Sequence, residues 1–273
     1  MYSRLIATGT LALALLGCEP VNSIEIPVRD SGTGKTLAQL ETFVYEPPGD
    51  GAFPVLILNH GSAGGSPRAS IPWKRDATYW SQRGYIVVVP MRQGRGKSTG
   101  ISPEAEEKNC NVANWYQALP LSMQDLDAAI EFSRTLARAR PNSITLVGTS
   151  RGGFLSVAYS AEGKYKDQVQ SVVNFVGGWV AQAEDQCPQD FNSIAFERYG
   201  QTTKTKMLWL YGANDLFYGD AAVHSYVETF TKAGGNASFH LIKGIPKNGH
   251  WLPEHPEKWR SLVDDFLQTT NAP

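Results

Sequence analysis

The chain has 273 residues, with 25 Lys plus Arg against 26 Asp plus Glu and a formal net charge of −1. That balance, without a long basic run, excludes the electrostatic footprint of a nucleic-acid-binding protein. At 42% hydrophobic and 19% charged residues, the chain is an ordinary globular sequence, long enough for one large α/β domain or two small ones.

The first stretch stands apart. One positive charge at Arg4 precedes an apolar run, 5–16, then Gly17-Cys18. The run is too short to span a bilayer and reads as a secretory signal. Leu15-Leu16-Gly17-Cys18 resembles a bacterial lipobox, which makes residues 1–17 a signal peptide and Cys18 a lipidation site. An ordinary signal with an incidental cysteine is the simpler alternative. Either reading implies export, to the periplasm or outer membrane of a bacterium. Only Cys110 and Cys187 then remain of the three cysteines. An oxidising compartment favours a disulfide between them, the alternative being two buried thiols.

Residues 18–36 read as a tether, and a single domain is expected over 37–270. Residues 37–45 alternate as a strand and end at Pro47-Pro48-Gly49-Asp50-Gly51, a strong turn. The runs 54–59 and 85–90 are continuously apolar, as strands covered on both faces should be. A helix is expected over 73–83, followed by an irregular segment over 91–115. Residues 120–139 carry Leu121, Leu126, Ala129, Ile130 and Leu136 at spacings that predict an amphipathic helix. A strand over 143–149 and a small-residue helix come next. Strands are expected over 169–176, 207–211 and 238–243. Helices are expected over 220–233 and 255–268, and 179–199 reads as irregular. This alternation predicts a mostly parallel, doubly wound sheet of about eight strands with helices on both faces. In such sheets functional residues collect at the carboxyl ends of the strands.

At one strand end stands Gly148-x-Ser150-x-Gly152, between an apolar strand and a helix. That is the context of a nucleophile elbow, with Ser150 at its apex. A serine hydroxyl needs a base, usually a histidine oriented by a carboxylate. His250 lies between the last strand and the last helix, where the chain order Ser, acid, His puts the base. Asp215 follows the 207–211 strand directly and is the expected acid. Asp220, just before a helix, is the competitor and has the look of a cap. An oxyanion hole needs backbone N–H groups, expected from Ser62 and Arg151. His60 is expected to brace the Ser62 loop. A second G-x-S-x-G, Gly96 to Gly100, neither follows a strand directly nor opens a helix, so Ser98 is read as a loop residue. Gly34-Lys35-Thr36 and Gly96-Lys97-Ser98 lack the leading glycine of a phosphate-binding loop, position 29 being Arg and position 91 Met. No cofactor and no metal site are expected.

These residues resemble the α/β-hydrolase fold, and more narrowly exported members of the dienelactone-hydrolase-like branch. The likeness rests on Asn59-His60-Gly61-Ser62, the 89–96 segment, the elbow, 173–178, 208–215 and Gly249-His250. It implies Ser150 as nucleophile, Asp215 as acid and His250 as base. Dienelactone hydrolases proper use a cysteine nucleophile, so Ser150 departs from them and points to ordinary ester chemistry on a small-molecule ester. Specificity is expected in 91–115 and 179–199, which a Cys110–Cys187 bond would tie together. Trp115, Tyr116, Trp179, Phe217, Tyr218 and Trp251 are candidate pocket residues. A peptidase, amidase or acyltransferase with the same triad is the second reading. A non-catalytic envelope binding protein on the same fold is the third. Membrane contact is expected only through the N-terminal lipid, and the oligomeric state is left open.

Overall fold

The computed structural model of the protein describes residues 23–62, 66–102, 112–181 and 190–270. Residues 1–22, which include the expected signal peptide and Cys18, lie outside the described residues, as do Cys110 and Cys187.

Among the described residues, eight strands form one sheet: β1 (Ile24–Arg29), β2 (Thr36–Tyr45), β3 (Phe53–Asn59), β4 (Ile86–Pro90), β5 (Ala139–Thr149), β6 (Val169–Phe175), β7 (Lys206–Gly212) and β8 (Asn236–Ile242). Their order is β1-β2-β4-β3-β5-β6-β7-β8. β2 pairs antiparallel with β1 and with β4, and every other pairing is parallel. The apolar run lengths follow from position in the sheet. β3, β4 and β7 are buried almost throughout, whereas the edge strand β1 alternates.

Among the described residues, six α-helices pack on the sheet: α1 (Lys74–Ser81), α2 (Val112–Ser133), α3 (Arg151–Glu162), α4 (Phe191–Thr202), α5 (Asp220–Lys232) and α6 (Pro256–Thr270). Register shows how they divide. Asn174 pairs with Trp209 and Phe175 with Leu210, and successive side chains point to opposite faces. Phe175 meets Trp259 of α6 at 5.0 Å, and Trp259 stacks on Trp80 of α1. On the other face Trp209 meets Phe196 of α4 and Phe230 of α5 at 4.7 and 4.8 Å. The sheet is therefore covered on both sides, as the alternation of elements predicts.

Three boundaries differ from the sequence reading. The supposed tether contains β1, because Ile26 and Val28 alternate inward onto the core. α2 begins well before residue 120 and ends at Ser133, with Pro120 inside it. Burial of Trp115, Ala118 and Leu119 extends the helix toward its start, and Leu121, expected on the apolar face, is exposed. α4 occupies the second half of a segment read as irregular. Its buried Phe191, Ala195, Phe196 and Tyr199 recur at helical spacing, a signal masked by Pro188 before it and Gly200 within it.

Candidate active site

Ser150 sits between β5 and α3 with φ 56° and ψ −127°, a conformation that costs a non-glycine residue energy and persists only when its surroundings enforce it. The surroundings do so from three sides. The Ser150 N–H donates to the Phe175 carbonyl at 2.9 Å, and the Ser150 carbonyl accepts from Phe154 at 3.0 Å. A Cβ at Gly148 would strike the Gly152 main chain, and one at Gly152 would strike the carbonyls of Asn59 and His60. Asn59, at the end of β3, donates its side-chain amide to the Gly152 carbonyl at 3.1 Å. The two glycines of the motif therefore let β3, β5 and α3 converge under the serine.

The loop after β3 presses on that serine. A Cβ on Gly61 would come within 3.0 Å of Ser150 Cβ. His60 holds this loop and is only 1% exposed. Its Nδ1 lies 2.7 Å from the Gly61 carbonyl, and its Nε2 accepts from the Arg92 N–H at 3.0 Å. These contacts set the tautomer, with the proton on Nδ1. Arg92 is itself buried and donates to Asn59 Oδ1 at 2.7 Å and to the His60 carbonyl. His60 thus braces the loop, as expected from its place in the sequence.

Asp215 and His250 meet through their side chains. His250 Nδ1 lies 2.8 Å from Asp215 Oδ2, and both residues are buried, Asp215 at 4% and His250 at 8% exposure. The other carboxylate oxygen accepts the N–H groups of Phe217 and Tyr218 at 2.7 and 3.1 Å. The acid is therefore held from both sides, and it can keep a histidine in the tautomer that leaves Nε2 free to accept a proton. Asp220, the competitor, accepts from the Asn214 N–H at 3.0 Å and so braces the acid loop.

Sequence reasoning missed Asn248. Its Oδ1 accepts from Leu216 N at 3.0 Å and from His250 N at 2.9 Å, tying the acid loop to the base loop. The signal was present in the Asn-Gly pair before His250, since an Asn side chain readily bonds the backbone two residues on.

A cavity of about 720 Å³ opens over these residues, lined by Ser62, Ser150, Arg151 and His250 among others. Of the expected pocket residues, Trp179, Phe217, Tyr218 and Trp251 line it. Phe217 lies 4.6 Å from the His250 ring, Tyr218 5.6 Å and Trp251 5.9 Å. Trp115 and Tyr116 do not line it. Both pack on Phe191 of α4, at 4.8 and 5.4 Å, because the early start of α2 turns them toward the helical layer. Trp73, which the sequence did not single out, joins the wall from a left-handed conformation at φ 49° just before α1. The Arg151 guanidinium donates to the Trp179 carbonyl at 3.1 Å and lies over that indole.

Ser98 is elsewhere. It is fully buried, accepts from Glu41 N at 2.9 Å and donates to the Met91 carbonyl at 2.7 Å. The second G-x-S-x-G is thus a loop that fastens onto β2.

The chain is similar to several known proteins. Over 98% of its length it superposes on 97% of the Pyrococcus furiosus esterase Pf2001, with a TM-score of 0.65 and 17% identity. It superposes on the Pyrococcus horikoshii acylaminoacyl peptidase with a TM-score of 0.68 and 15% identity, covering 93% of this chain and 42% of that one. In sequence it is 26% identical over 120 residues to a Synechocystis sp. protein provisionally named a carboxymethylenebutenolidase. That match covers 43% of this chain and about half (47%) of the relative. The structural likenesses establish an α/β-hydrolase fold. The pattern of one family matches residues 40–250, a span that runs from β2 through the elbow and the acid loop to His250. This chain belongs to the dienelactone hydrolase family.

Proposed function

We propose that the protein is a serine hydrolase of carboxylic esters. Ser150 attacks the acyl carbonyl, His250 takes its proton, and Asp215 orients the imidazole and stabilises its charged form. The N–H groups of Ser62 and Arg151 receive the oxyanion. Arg151 opens α3 directly after Ser150, at the helix end whose N–H groups point toward the serine. Water then releases the acyl group from Ser150. The observation that carries this reading is the 2.8 Å contact of His250 Nδ1 with Asp215 Oδ2, beneath a cavity that Ser150 also lines. The aromatic wall around His250 favours substrates with an apolar acyl or aryl group.

The proposal extends to the parts outside the described residues: export through the N-terminal signal, lipid attachment at Cys18, and a Cys110–Cys187 disulfide. The contact of Trp115 with Phe191 supports the last of these, because it brings the flanks of the two cysteine-bearing segments together. Masses of the reduced and unreduced mature protein test it.

Hydrolysis of short p-nitrophenyl esters by the mature protein tests the activity, with Ser150→Ala as control. Loss of turnover in that variant is expected, and full turnover would overturn the assignment of Ser150. Matched amides in the same panel separate an esterase from a peptidase or amidase. Failure of Ser150 to react with a fluorophosphonate would point to a binding protein.

A further inference from the structure

The walls of the cavity over Ser150 differ in construction. One is closed: Trp179 is only 1% exposed, and its carbonyl takes the Arg151 guanidinium at 3.1 Å. Another is open. A short 3₁₀ helix, Gly249–Glu254, carries His250 and then Trp251. Leu252 of this helix is fully buried, which turns its neighbour Trp251 outward to the mouth, 45% exposed. The Trp251 N–H donates to the Asn248 carbonyl at 3.1 Å. Its indole lies 5.9 Å from the His250 ring with the two planes 75° apart, so it is not stacked on the imidazole.

A second segment joins the open wall. Arg75 Nη2 donates to the Pro253 carbonyl at 3.1 Å, and Arg75 Nε pairs with Asp76 at 2.7 Å. That bond fastens the residues that open α1 to the 3₁₀ helix. Just before them stands Trp73 at φ 49°, a genuine outlier for a bulky residue. Strain of this kind persists only where the surroundings enforce it, and it gathers at ligand sites. The wall beside His250 thus presents two indoles, one set there by a strained backbone and one half open to water. A half-exposed indole at a cavity mouth is apolar surface that the fold leaves in water, and its flat face suits another aromatic ring.

The chemistry decides which half of an ester meets this wall. Asp215 occupies His250 Nδ1, so Nε2 is the nitrogen that takes the Ser150 proton and gives it to the leaving alcohol. The leaving oxygen must come within hydrogen-bond reach of Nε2. Whatever that oxygen carries then lies beside the His250 wall, while the acyl group extends from the reacting carbon in another direction.

We propose that Trp251 selects the alcohol half of the ester, and that this half is a phenol or another flat aromatic alcohol. In acylation the bond from Ser150 Oγ to the acyl carbon forms, the ester C–O bond breaks, and the proton held on His250 goes to the departing oxygen. The aromatic alcohol leaves past Trp251. Water then attacks an acyl-enzyme that no longer holds the alcohol, so Trp251 has no part in that step. The inference rests on the reading of Ser150 as nucleophile and names one half of its substrate.

The test uses phenyl and ethyl esters of acetic and butyric acid, with wild type, Trp251→Ala, Trp251→Phe and Ser150→Ala. For Trp251→Ala, kcat/KM is expected to fall roughly 10-fold on both phenyl esters and to stay within about twofold on both ethyl esters. Trp251→Phe should recover most of the loss. Breakdown of the acyl-enzyme, followed by mass spectrometry after rapid quenching, should run at the wild-type rate. Equal losses on phenyl and ethyl esters, losses that follow the acid instead of the alcohol, or slowed acyl-enzyme breakdown would each overturn the role. A measurement on wild type alone stands beside the variants, should Trp251→Ala fail to fold. Phenol is expected to inhibit ethyl acetate hydrolysis at lower concentration than cyclohexanol, and equal inhibition would overturn the aromatic preference. Wild type that turns over none of the four esters, or full activity in Ser150→Ala, would instead overturn the functional reading beneath the inference.

Discussion

Gly212 and Gly249 meet backbone to backbone, so that a Cβ on either would run into the main chain of the other. Gly212 ends β7 and leads to Asp215, and Gly249 directly precedes His250. The closeness of these two glycines is what allows the Asp215–His250 contact. Alanine at either position is expected to push the Asp215 and His250 loops apart while Ser150, Asp215 and His250 all remain. A displacement of about 1 Å at such a site costs on the order of 100-fold in turnover, and overpacking costs about 1–3 kcal/mol in stability. Steady-state kinetics and thermal melts of both variants check this, and two variants with wild-type kcat would refute it.

Asp215→Asn separates two roles of one side chain. The amide oxygen can still accept the Phe217 and Tyr218 N–H groups, so the loop should hold and melting should change little. The amide group facing His250 Nδ1 now donates, which favours the wrong tautomer. A fall in kcat of roughly 10⁴-fold is expected on the triad chemistry. A fall below about tenfold would show that His250 needs no carboxylate.

The two G-x-S-x-G motifs predict opposite outcomes. Ser98→Ala leaves the buried Glu41 N–H and Met91 carbonyl without their hydroxyl partner, at a cost of about 1–3 kcal/mol each for a buried unsatisfied group. Stability should drop, while fluorophosphonate labelling of the folded protein stays at the wild-type stoichiometry. Ser150→Ala should keep its stability, since alanine carries the same Cβ at φ 56°, and lose labelling. Label persisting in Ser150→Ala and vanishing in Ser98→Ala would reverse the assignment.

The contact of α6 with α1 should weaken in acid. Asp264 accepts from Arg83 Nε at 2.6 Å and Nη2 at 2.9 Å, and from the Tyr79 hydroxyl at 2.8 Å. The Arg83 hydrogen bond comes first among the effects holding this carboxyl below its usual range. A carboxyl depressed in the folded state contributes stability above its unfolded pKa, and that contribution disappears as pH falls through the folded value. The pair is partly exposed, so about 1 kcal/mol or less is at stake. Asp264→Asn should melt lower than wild type at pH 7, and the gap should close below about pH 4. A gap that is constant with pH would show that the carboxyl charge plays no part.

Much of the fold was legible because burial on both faces of a strand demands an unbroken apolar run, and 54–59, 85–90 and 169–176 supply it. The elements that were misread obey weaker local signals. β1 is short and at an edge, where only Ile26 and Val28 need to be apolar. Pro120 resembles a helix start, yet α2 runs through it because Trp115 and Leu119 bury surface on the same helix. Among site residues, the candidates that sequence order could place were those at strand ends: Ser150, Asp215 and His250. Trp115 and Tyr116 were misplaced because proximity to a strand end along the chain does not say which way a helix turns its side chains.

By itself, the sequence determined the alternation of strands and helices from β2 onward except α4, the glycines that a tight elbow requires and the types of residue available at each strand end. These follow from local sterics and from the period of burial, which neighbouring residues settle among themselves. Only the tertiary structure decided that Asn248 joins two loops, that Gly212 faces Gly249 and that the Tyr218 hydroxyl reaches the Gly178 carbonyl. Each of those contacts spans tens of residues and depends on the lateral order of β5, β6, β7 and β8, and no local pattern encodes that distance.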